Sequence, residues 1–384
     1  MNRKKVRVLR VIARMNIGGP AIQITGLMQN LSSSCFEQLL LTGYCDKNEI
    51  DYLEEKGIKL SVIRLNGFGR RINFFSDVKA FFEIRKVIKV FNPDILHTHT
   101  AKAGFLGRLA AISMFRKSII KVHTYHGHLL HGYFGIIKTQ LVILVESFLS
   151  RFTDSLIAVG SKVRSDLIDA KIGEARKFKV IQPGLEIGEL PQRNLALQLF
   201  ALPEDKFIVS WLGRAVPVKA PQRLIEIAYE CFARNSDIHF VLAGEGPMIE
   251  NLKKEAESLC LPITFLGWQS EIEKVLSFSD LVILTSENEG MPLSLIQAQM
   301  AGIPVLTTDA GSASEVLINE KSGFCLSYSA KDFANKIQMF ADSPELKKSF
   351  GVAGKRNSGE KFSLNKLVSE HEVLYQKLLN QSKF

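Results

Sequence analysis

The chain is poor in cysteine and has no long apolar run. Its five cysteines (Cys35, Cys45, Cys231, Cys260, Cys325) are odd in number, scattered and without a CxxC pair. That excludes a disulfide scaffold and a zinc framework, and fits a reduced, cytoplasmic protein. No segment supplies the roughly 20 apolar residues that a membrane-spanning helix needs. The most apolar one, Ile136–Leu149, contains Lys138, Gln140 and Glu146. Within it Ile137, Leu141, Leu144, Val145 and Phe148 recur at helical spacing, which predicts a core helix. Arg10 and Arg14 interrupt the apolar start, so there is no signal-peptide h-region and Val6–Ala13 reads as a buried first strand. Also missing are a GxGxxG fingerprint, a Walker A sequence and a DxD triplet; the first two absences remove the usual dinucleotide and P-loop readings.

What is present is an ordinary globular chain with an uneven charge. The 46% hydrophobic and 23% charged residues exclude a disordered tail and a collagen-like repeat. The length of 384 residues points to two domains. The formal charge is +10, and residues 1–190 carry all of the excess, 29 Lys and Arg against 16 Asp and Glu. Residues 191–384 carry 20 against 23. A one-sided excess of this kind suggests that one domain meets a polyanion, either nucleic acid or an anionic membrane surface. Arg3, Lys4, Lys5 and Arg7 open that half. Arg64, Arg70 and Arg71 flank a Gly67-Phe68-Gly69 loop, and Phe74, Phe75, Phe81 and Phe82 follow on a helix bearing Lys79, Lys86 and Lys89. Most of these phenylalanines are expected in the core, with the bases on a solvated face.

Strand-like runs alternate with helical ones in both halves. In the first they are Val6–Ala13, Gln38–Thr42, Ile95–His99, Lys121–His126 and Ser155–Val159. In the second they are Phe207–Leu212, His239–Ala243, Thr264–Leu266, Leu281–Thr285 and Pro304–Thr307. Such alternation predicts an α/β fold of two Rossmann-like doubly wound domains facing across a cleft, with ligands at the carboxyl ends of the strands. The Pro- and Gly-containing stretch Pro183–Pro191 marks the boundary. The expected division is 1–187, 188–362 and a final helical segment, 363–384.

The loops after those strands carry the candidate chemistry. Gly18 and Gly19 let the backbone approach a ligand ahead of a helix N-terminus, or form a plain tight turn. Six of the eight histidines fall between His97 and His131. His97 and His99 share one face of a strand; no metal-ligand spacing is matched, and His126, which closes a strand before Gly127, is the favoured cleft residue. Gly213-Arg-Ala-Val-Pro-Val-Lys219 places two cations where a diphosphate could be held. Gly244 and Gly246 form another close-approach loop. In Glu287–Gly302 the helix is delimited by Pro292, placed in its first turn, and Gly302 beyond its end. Glu289 lies in the loop before it and Gln297 in its second turn. This arrangement fits a polyhydroxylated nucleotide ligand.

Taken in order, these motifs resemble those of retaining glycosyltransferases of family 4, with the GT-B fold, from bacterial surface-polysaccharide synthesis. The likeness rests on the Gly-Gly loop, Pro93–Gly104, Tyr125–His128, His131–Phe134, Gly213-Arg to Lys219, Ala243–Pro247 and Asn288–Ile296, and covers essentially the whole chain. It implies transfer of a sugar from a nucleotide-sugar donor, UDP-linked in our reading, to a glycan or lipid-linked acceptor. The donor belongs to the C-terminal domain and the acceptor to the N-terminal one, and the last helix crosses back onto the first domain. The resemblance implies a hexosyltransferase type of activity that is metal-independent and needs no cofactor.

Carried over residue by residue, Arg214 and Lys219 neutralise the leaving diphosphate, His126 lies at the donor sugar and Glu289 holds sugar hydroxyls. Gly18, Gly19, Gly213, Gly244, Gly246, Gly290, Met291, Pro292, Leu293 and Gln297 contact the donor; His99, Lys102 and His128 are acceptor-side candidates. No protein nucleophile is implied. One departure stands out: the family has a second glutamate where this chain has Gln297, and in relatives that acid contacts the ribose. An uncharged acceptor there predicts donor binding weakened by about one order of magnitude. Two alternatives remain open, a GT-B-fold nucleotide-sugar epimerase and a catalytically weak binding or scaffold subunit of a glycan-assembly complex. Nucleic acid is not an expected partner, since no recognised binding module is present. The basic half is expected to dock on the inner membrane face, as a cytoplasmic, peripherally attached protein.

Overall fold

The computed structural model describes residues 5–47, 49–69, 71–114, 119–127, 135–234 and 237–382. Arg3, Lys4, Arg70, His128 and the His131–Phe134 motif lie outside the described residues. The chain folds as two units, one running to Leu185 and including the segment from Leu364 onward, the other Glu186–Ser363.

In the first unit β1 (Val6–Ile12), α1 (Gly19–Asn30), β2 (Phe36–Thr42), α2 (Tyr52–Glu55), β3 (Val62–Arg64), α3 (Phe74–Phe91), β4 (Ile95–His99), α4 (Ala101–Ser113), β5 (Ile120–Tyr125), α5 (Ile136–Arg151), β6 (Ser155–Ala158), α6 (Ser161–Asp169) and β7 (Phe178–Val180) follow one another. Their strands form a parallel sheet of order β3-β2-β1-β4-β5-β6-β7. Val8, Leu9 and Val11 are completely buried, as befits a parallel sheet covered on both faces. The order reverses beside β1, whose neighbours are β2 and β4, and in doubly wound sheets ligands bind beyond the carboxyl ends of the strands at such a switch point.

The second unit contains α7 (Arg193–Leu199), β8 (Phe207–Leu212), α8 (Gln222–Phe232), β9 (Ile238–Ala243), α9 (Ile249–Ser258), β10 (Ile263–Gly267), α10 (Ile272–Phe278), β11 (Leu281–Leu284), α11 (Leu293–Met300), β12 (Val305–Thr308), β13 (Gly323–Leu326), α12 (Ala330–Asp342) and α13 (Pro344–Lys361). Its parallel sheet has the order β10-β9-β8-β11-β12-β13, with the switch point between β8 and β11. The last helix, α14 (Leu364–Gln381), packs Leu367, Val368, Leu374 and Tyr375 against Val8, Leu27, Ile95 and Val122 of the first unit. The α/β class and both doubly wound sheets are those expected from the strand–helix alternation.

Helix α5 corrects one expectation. It forms where the periodicity placed it, but the apolar stripe faces outward: Ile137 is 86% exposed, Leu144 68%, Leu141 60% and Phe148 50%. The buried side holds Glu146, Leu149 and Ser150. The cause is a polar anchor. Arg108 on α4 is fully buried and donates from Nη2 to both Glu146 oxygens, at 2.8 and 2.7 Å. The Tyr125 hydroxyl donates to Glu146 Oε2 at 2.7 Å. A buried guanidinium without an acid would be strongly unfavourable, so Glu146 turns inward and rotates the stripe to the surface.

The phenylalanines around α3 are a second correction. Phe68 is buried and Phe81 packs against the core, but Phe74, Phe75 and Phe82 are exposed. The side of α3 given to the core is Ala80, Ile84, Val87, Ile88 and Phe91, which leaves Phe75, Val78 and Phe82 on the opposite side.

Candidate active site

In the second unit, the loops at the β8/β11 switch point are stitched to one another. Gly213 N donates to Ala243 O at 3.1 Å and Ala215 N to Glu245 O at 2.8 Å. A Cβ at Gly244 would lie 1.8 Å from Gly213 O, so only glycine allows these two loops to pack. Contact between the loops is therefore itself a reason for that glycine. After β11, the Trp211 indole donates to Thr285 Oγ1 at 2.9 Å, and Thr285 Oγ1 donates to Lys219 O at 3.2 Å. Glu287 N donates to Val218 O at 2.9 Å. These bonds fix the short 3-10 turn Pro217–Lys219 against the loop that carries Glu289.

Glu289 is almost completely buried, and its Oε1 accepts from Ser286 Oγ at 2.6 Å and from Lys219 Nζ. Lys219 and Glu289, assigned separate ligand groups from the sequence, thus meet in one ion pair. Arg214 is exposed, two residues past the end of β8. Helix α11 starts at Leu293, and Pro292 is its N-cap with φ −75° and ψ 111°. This corrects the expectation that Pro292 lies in the first turn. The ring fixes the approach to the helix while Gly290 and Met291 lead into its N-terminus, where free amides favour an anion. Gln297, on the fifth helical residue, is half-buried.

In the first unit, Gly18 is the N-cap of α1, and a Cβ there would have no atom closer than 4.0 Å, so space beside it is open. His97 and His99 lie on one face of β4, with ring centroids 4.2 Å apart. His99 Nδ1 and His126 Nε2 share a hydrogen bond of 3.0 Å. Among the described residues, His99 Nε2 and His126 Nδ1 are buried without a partner. Burial brings the His126 pKa down to about 4. Burial also holds His97 and His99 well below the usual imidazole range, aided by Arg10 and by the neighbouring histidines. Lys102, by contrast, is turned to α3, where it pairs with Asp77 Oδ1 at 2.6 Å. The loop sites are therefore assembled at the strand ends, while Lys102 is committed to a neighbouring helix.

Three residues at strand ends were not singled out from the sequence. Thr100, directly after β4, has φ 64° and ψ 160°, a costly backbone for a β-branched residue, and among the described residues its hydroxyl is buried without a partner. Trp268, after β10, has a buried indole N–H without a partner among the described residues. Ser312, after β12, donates its backbone N–H to Glu289 O at 3.3 Å, and among the described residues its buried hydroxyl has no partner. Gly311 beside it has φ 55°, and a Cβ there would lie 1.9 Å from Glu289 O. The strand-end rule that located the other loops also marks these. A cavity of about 940 Å³ at the opposite edge of this sheet is lined by Arg193, Phe207, Asp280 and Lys347. Asp280 there is committed to Arg193, Lys347 and Ile208 N, a structural knot.

The family model for glycosyltransferase family 4 matches residues 17–189, and that for glycosyl transferases group 1 matches residues 195–357. The chain is 29% identical to the UDP-Gal:alpha-D-GlcNAc-diphosphoundecaprenol alpha-1,3-galactosyltransferase of Escherichia coli, over 72% of this chain and 74% of that protein. It is 26% identical to the O-antigen biosynthesis glycosyltransferase WbnH of Escherichia coli, over 87% and 90%. Its fold is similar to that of HepE from Anabaena, solved with UDP and glucose, with a TM-score of 0.80, 20% identity and coverage of 97% and 100%. With two parallel doubly wound sheets and both halves matched in order, the chain belongs to the family 4 glycosyltransferases of the GT-B fold.

Proposed function

We propose that the enzyme is a retaining, metal-independent hexosyltransferase of surface-polysaccharide synthesis, moving a sugar from a UDP-sugar to a lipid-linked glycan. The observation that carries this reading is the Lys219–Glu289–Ser286 cluster ahead of the α11 N-terminus. A carboxylate held by two donors keeps acceptor positions for sugar hydroxyls. Lys219, Arg214 and the α11 amides offer positive charge to a diphosphate. Charge on that diphosphate grows as the glycosidic bond breaks, so fixed cations favour the transition state over the bound donor. His126, whose Nδ1 is buried without a partner among the described residues, is read as the histidine at the donor sugar. The names of the relatives support the donor and acceptor classes: one uses UDP-Gal and a diphosphoundecaprenol-linked sugar, and HepE was solved with UDP and glucose.

The test is transfer from UDP-galactose, UDP-glucose and GDP-mannose to a diphosphoundecaprenol-linked GlcNAc, with and without chelator, and the product anomer read by NMR. Retained configuration with a UDP-sugar is expected. Inversion, or turnover only with GDP-mannose, overturns the reading.

The first unit is proposed to dock on an anionic bilayer from the cytoplasmic side. Support comes from the exposed Phe75, Val78 and Phe82 of α3 and the outward stripe of α5, set among Arg71, Lys79, Lys86, Lys89, Lys138 and Arg151. Among the described residues no helix is long and apolar enough to cross a membrane. Apolar side chains flanked by cations suit attachment to the interface, with each cation near anionic lipid contributing about 1 kcal/mol. Sedimentation with vesicles of neutral lipid alone, and with anionic lipid added, tests this. Equal binding to both removes the electrostatic part.

A further inference from the structure

Arg223, in the first turn of α8, holds the loop that carries Glu289. Its Nη1 donates to Thr285 O at 2.9 Å and its Nη2 to Glu287 Oε1 at 3.3 Å. The guanidinium carbon lies over the Tyr328 ring, 4.4 Å from its centroid, and the Tyr328 hydroxyl donates to Glu226, one turn further along α8. The planar fork is thus used on two edges and one face at once, which a lysine ammonium cannot reproduce. Helix α8 does not need this arrangement to stay in place, since Leu224, Ile225, Ile227, Ala228 and Cys231 are buried in the core of the second unit.

What the guanidinium fixes is a peptide plane. Thr285 O belongs to the peptide that leads into Ser286. The peptide that leaves Ser286 is fixed as well: Thr308 Oγ1 donates to Ser286 O at 2.6 Å, and Glu287 N donates to Val218 O at 2.9 Å. Peptide units are planar, so the orientations of the two that flank a residue set its φ and ψ. Only χ1, with three staggered wells, then remains to place the Ser286 hydroxyl. Ser286 is almost completely buried, and its Oγ donates at 2.6 Å to Glu289 Oε1, the oxygen that also takes Lys219 Nζ.

We propose that Arg223 and Thr308 are positioning residues for Glu289: by fixing the two peptides around Ser286 they aim its hydroxyl at Glu289 Oε1, which leaves Oε2 to accept a sugar hydroxyl. The inference rests on the reading of Glu289 as the acid that holds the sugar. Every residue of the network belongs to the second unit. Glu287 matches the charge of Arg223, so the role assigned is geometric rather than electrostatic. Local sequence does not announce it, because the two hydrogen bonds to the loop span 62 and 22 residues.

The experiment measures kcat for transfer, the affinities of UDP, UDP-glucose and UDP-galactose, and the carboxylate carbon NMR signal that Glu289→Gln removes from glutamate-labelled enzyme. The other variants are Arg223→Met, Arg223→Lys, Ser286→Ala, Thr308→Val and the double Arg223→Met with Ser286→Ala. Ser286→Ala is expected to lower kcat about tenfold, as befits loss of a hydrogen bond to a charged group. Arg223→Met should lower it about threefold to tenfold, and less than about twofold further in the Ser286→Ala background, because both changes remove the same contact. UDP affinity should stay near wild type while the UDP-sugars lose their advantage over UDP. The Glu289 signal should move in the same direction in both single variants. Arg223→Lys keeps the charge without the fork and should resemble Arg223→Met. Thr308→Val releases the other peptide and carries the same cycle with Ser286→Ala should Arg223→Met not fold. Losses that add, a Glu289 signal that Arg223→Met leaves unmoved, or full transfer by Arg223→Lys overturn the proposal. Wild-type transfer by Glu289→Gln would instead overturn the reading of Glu289, while its carboxylate signal still decides whether Arg223 sets the Ser286–Glu289 bond.

Discussion

Lys219 and Glu289, 70 residues apart in sequence, share one ion pair at the carboxyl edge of the second sheet, and Ser286 donates to the same carboxylate oxygen at 2.6 Å. The pair joins two roles, since the cation suits a diphosphate and the acid suits a sugar. Replacing Glu289 by Gln leaves Lys219 without its anionic partner but still charged. UDP binding, measured by calorimetry, is therefore expected to stay level or tighten. Transfer should fall about ten- to a hundredfold, as expected when an ionic hydrogen bond of about 1.5–3 kcal/mol is lost. Lys219→Ala should do the reverse to UDP and weaken it. Parallel losses of UDP affinity in both variants would show that the roles are not separable.

The fold was largely legible because its signals are local. Apolar runs such as Phe207–Leu212 and Ile95–His99 are strands with those same limits. Short edge elements such as β3 and β13 were not, since three or four residues starting from Val62 or Gly323 carry too little periodicity. The orientation of α5 was illegible for a different reason. Its apolar spacing is correct, but the deciding contacts are Arg108 and Tyr125, 38 and 21 residues from Glu146, and no window of local sequence contains them. At the site, loops were found by their position after strands. The direct pairing of Lys219 with Glu289 depends on the β8–β11 adjacency, which only the sheet order reveals.

Thr100 has a positive φ where β4 hands over to α4, immediately after His99. Holding a β-branched residue there costs about 1–3 kcal/mol. Thr100→Gly removes the strain but adds backbone freedom in the unfolded chain, so a net gain of up to about 1 kcal/mol in stability is expected. Transfer should decline, because the turn that holds His99 loosens. Thermal unfolding and kcat on the same preparation check this. A less stable glycine variant would show that the threonine contributes more than it strains.

Gln297, half-buried in the second turn of α11, is the residue that we read as standing where the family has its second glutamate. Its amide can accept a ribose hydroxyl but brings no charge. Gln297→Glu is expected to tighten donor binding about tenfold, corresponding to about 1.4 kcal/mol, with kcat little changed. The comparison needs the donor itself and UDP alone, since both contain the ribose and both should gain. Unchanged or poorer binding would mean that the ribose does not reach this side chain.

The outward stripe of α5 separates surface function from folding. Leu141 and Leu144 are 60% and 68% exposed, so replacing both with Glu should leave thermal stability within about 0.5 kcal/mol per site. Binding to vesicles containing anionic lipid should fall, because two apolar contacts are lost and two negative charges face like-charged headgroups. Glu146→Gln tests the opposite side of the same helix. It leaves Arg108 fully buried without an acid, a loss of about 3–5 kcal/mol, and should lower the melting temperature by many degrees. If the double Glu variant destabilises the fold as much as Glu146→Gln, the stripe is covered by the protein itself and is not a membrane face. If it remains stable and still binds vesicles as wild type does, attachment depends on α3 and its cations alone.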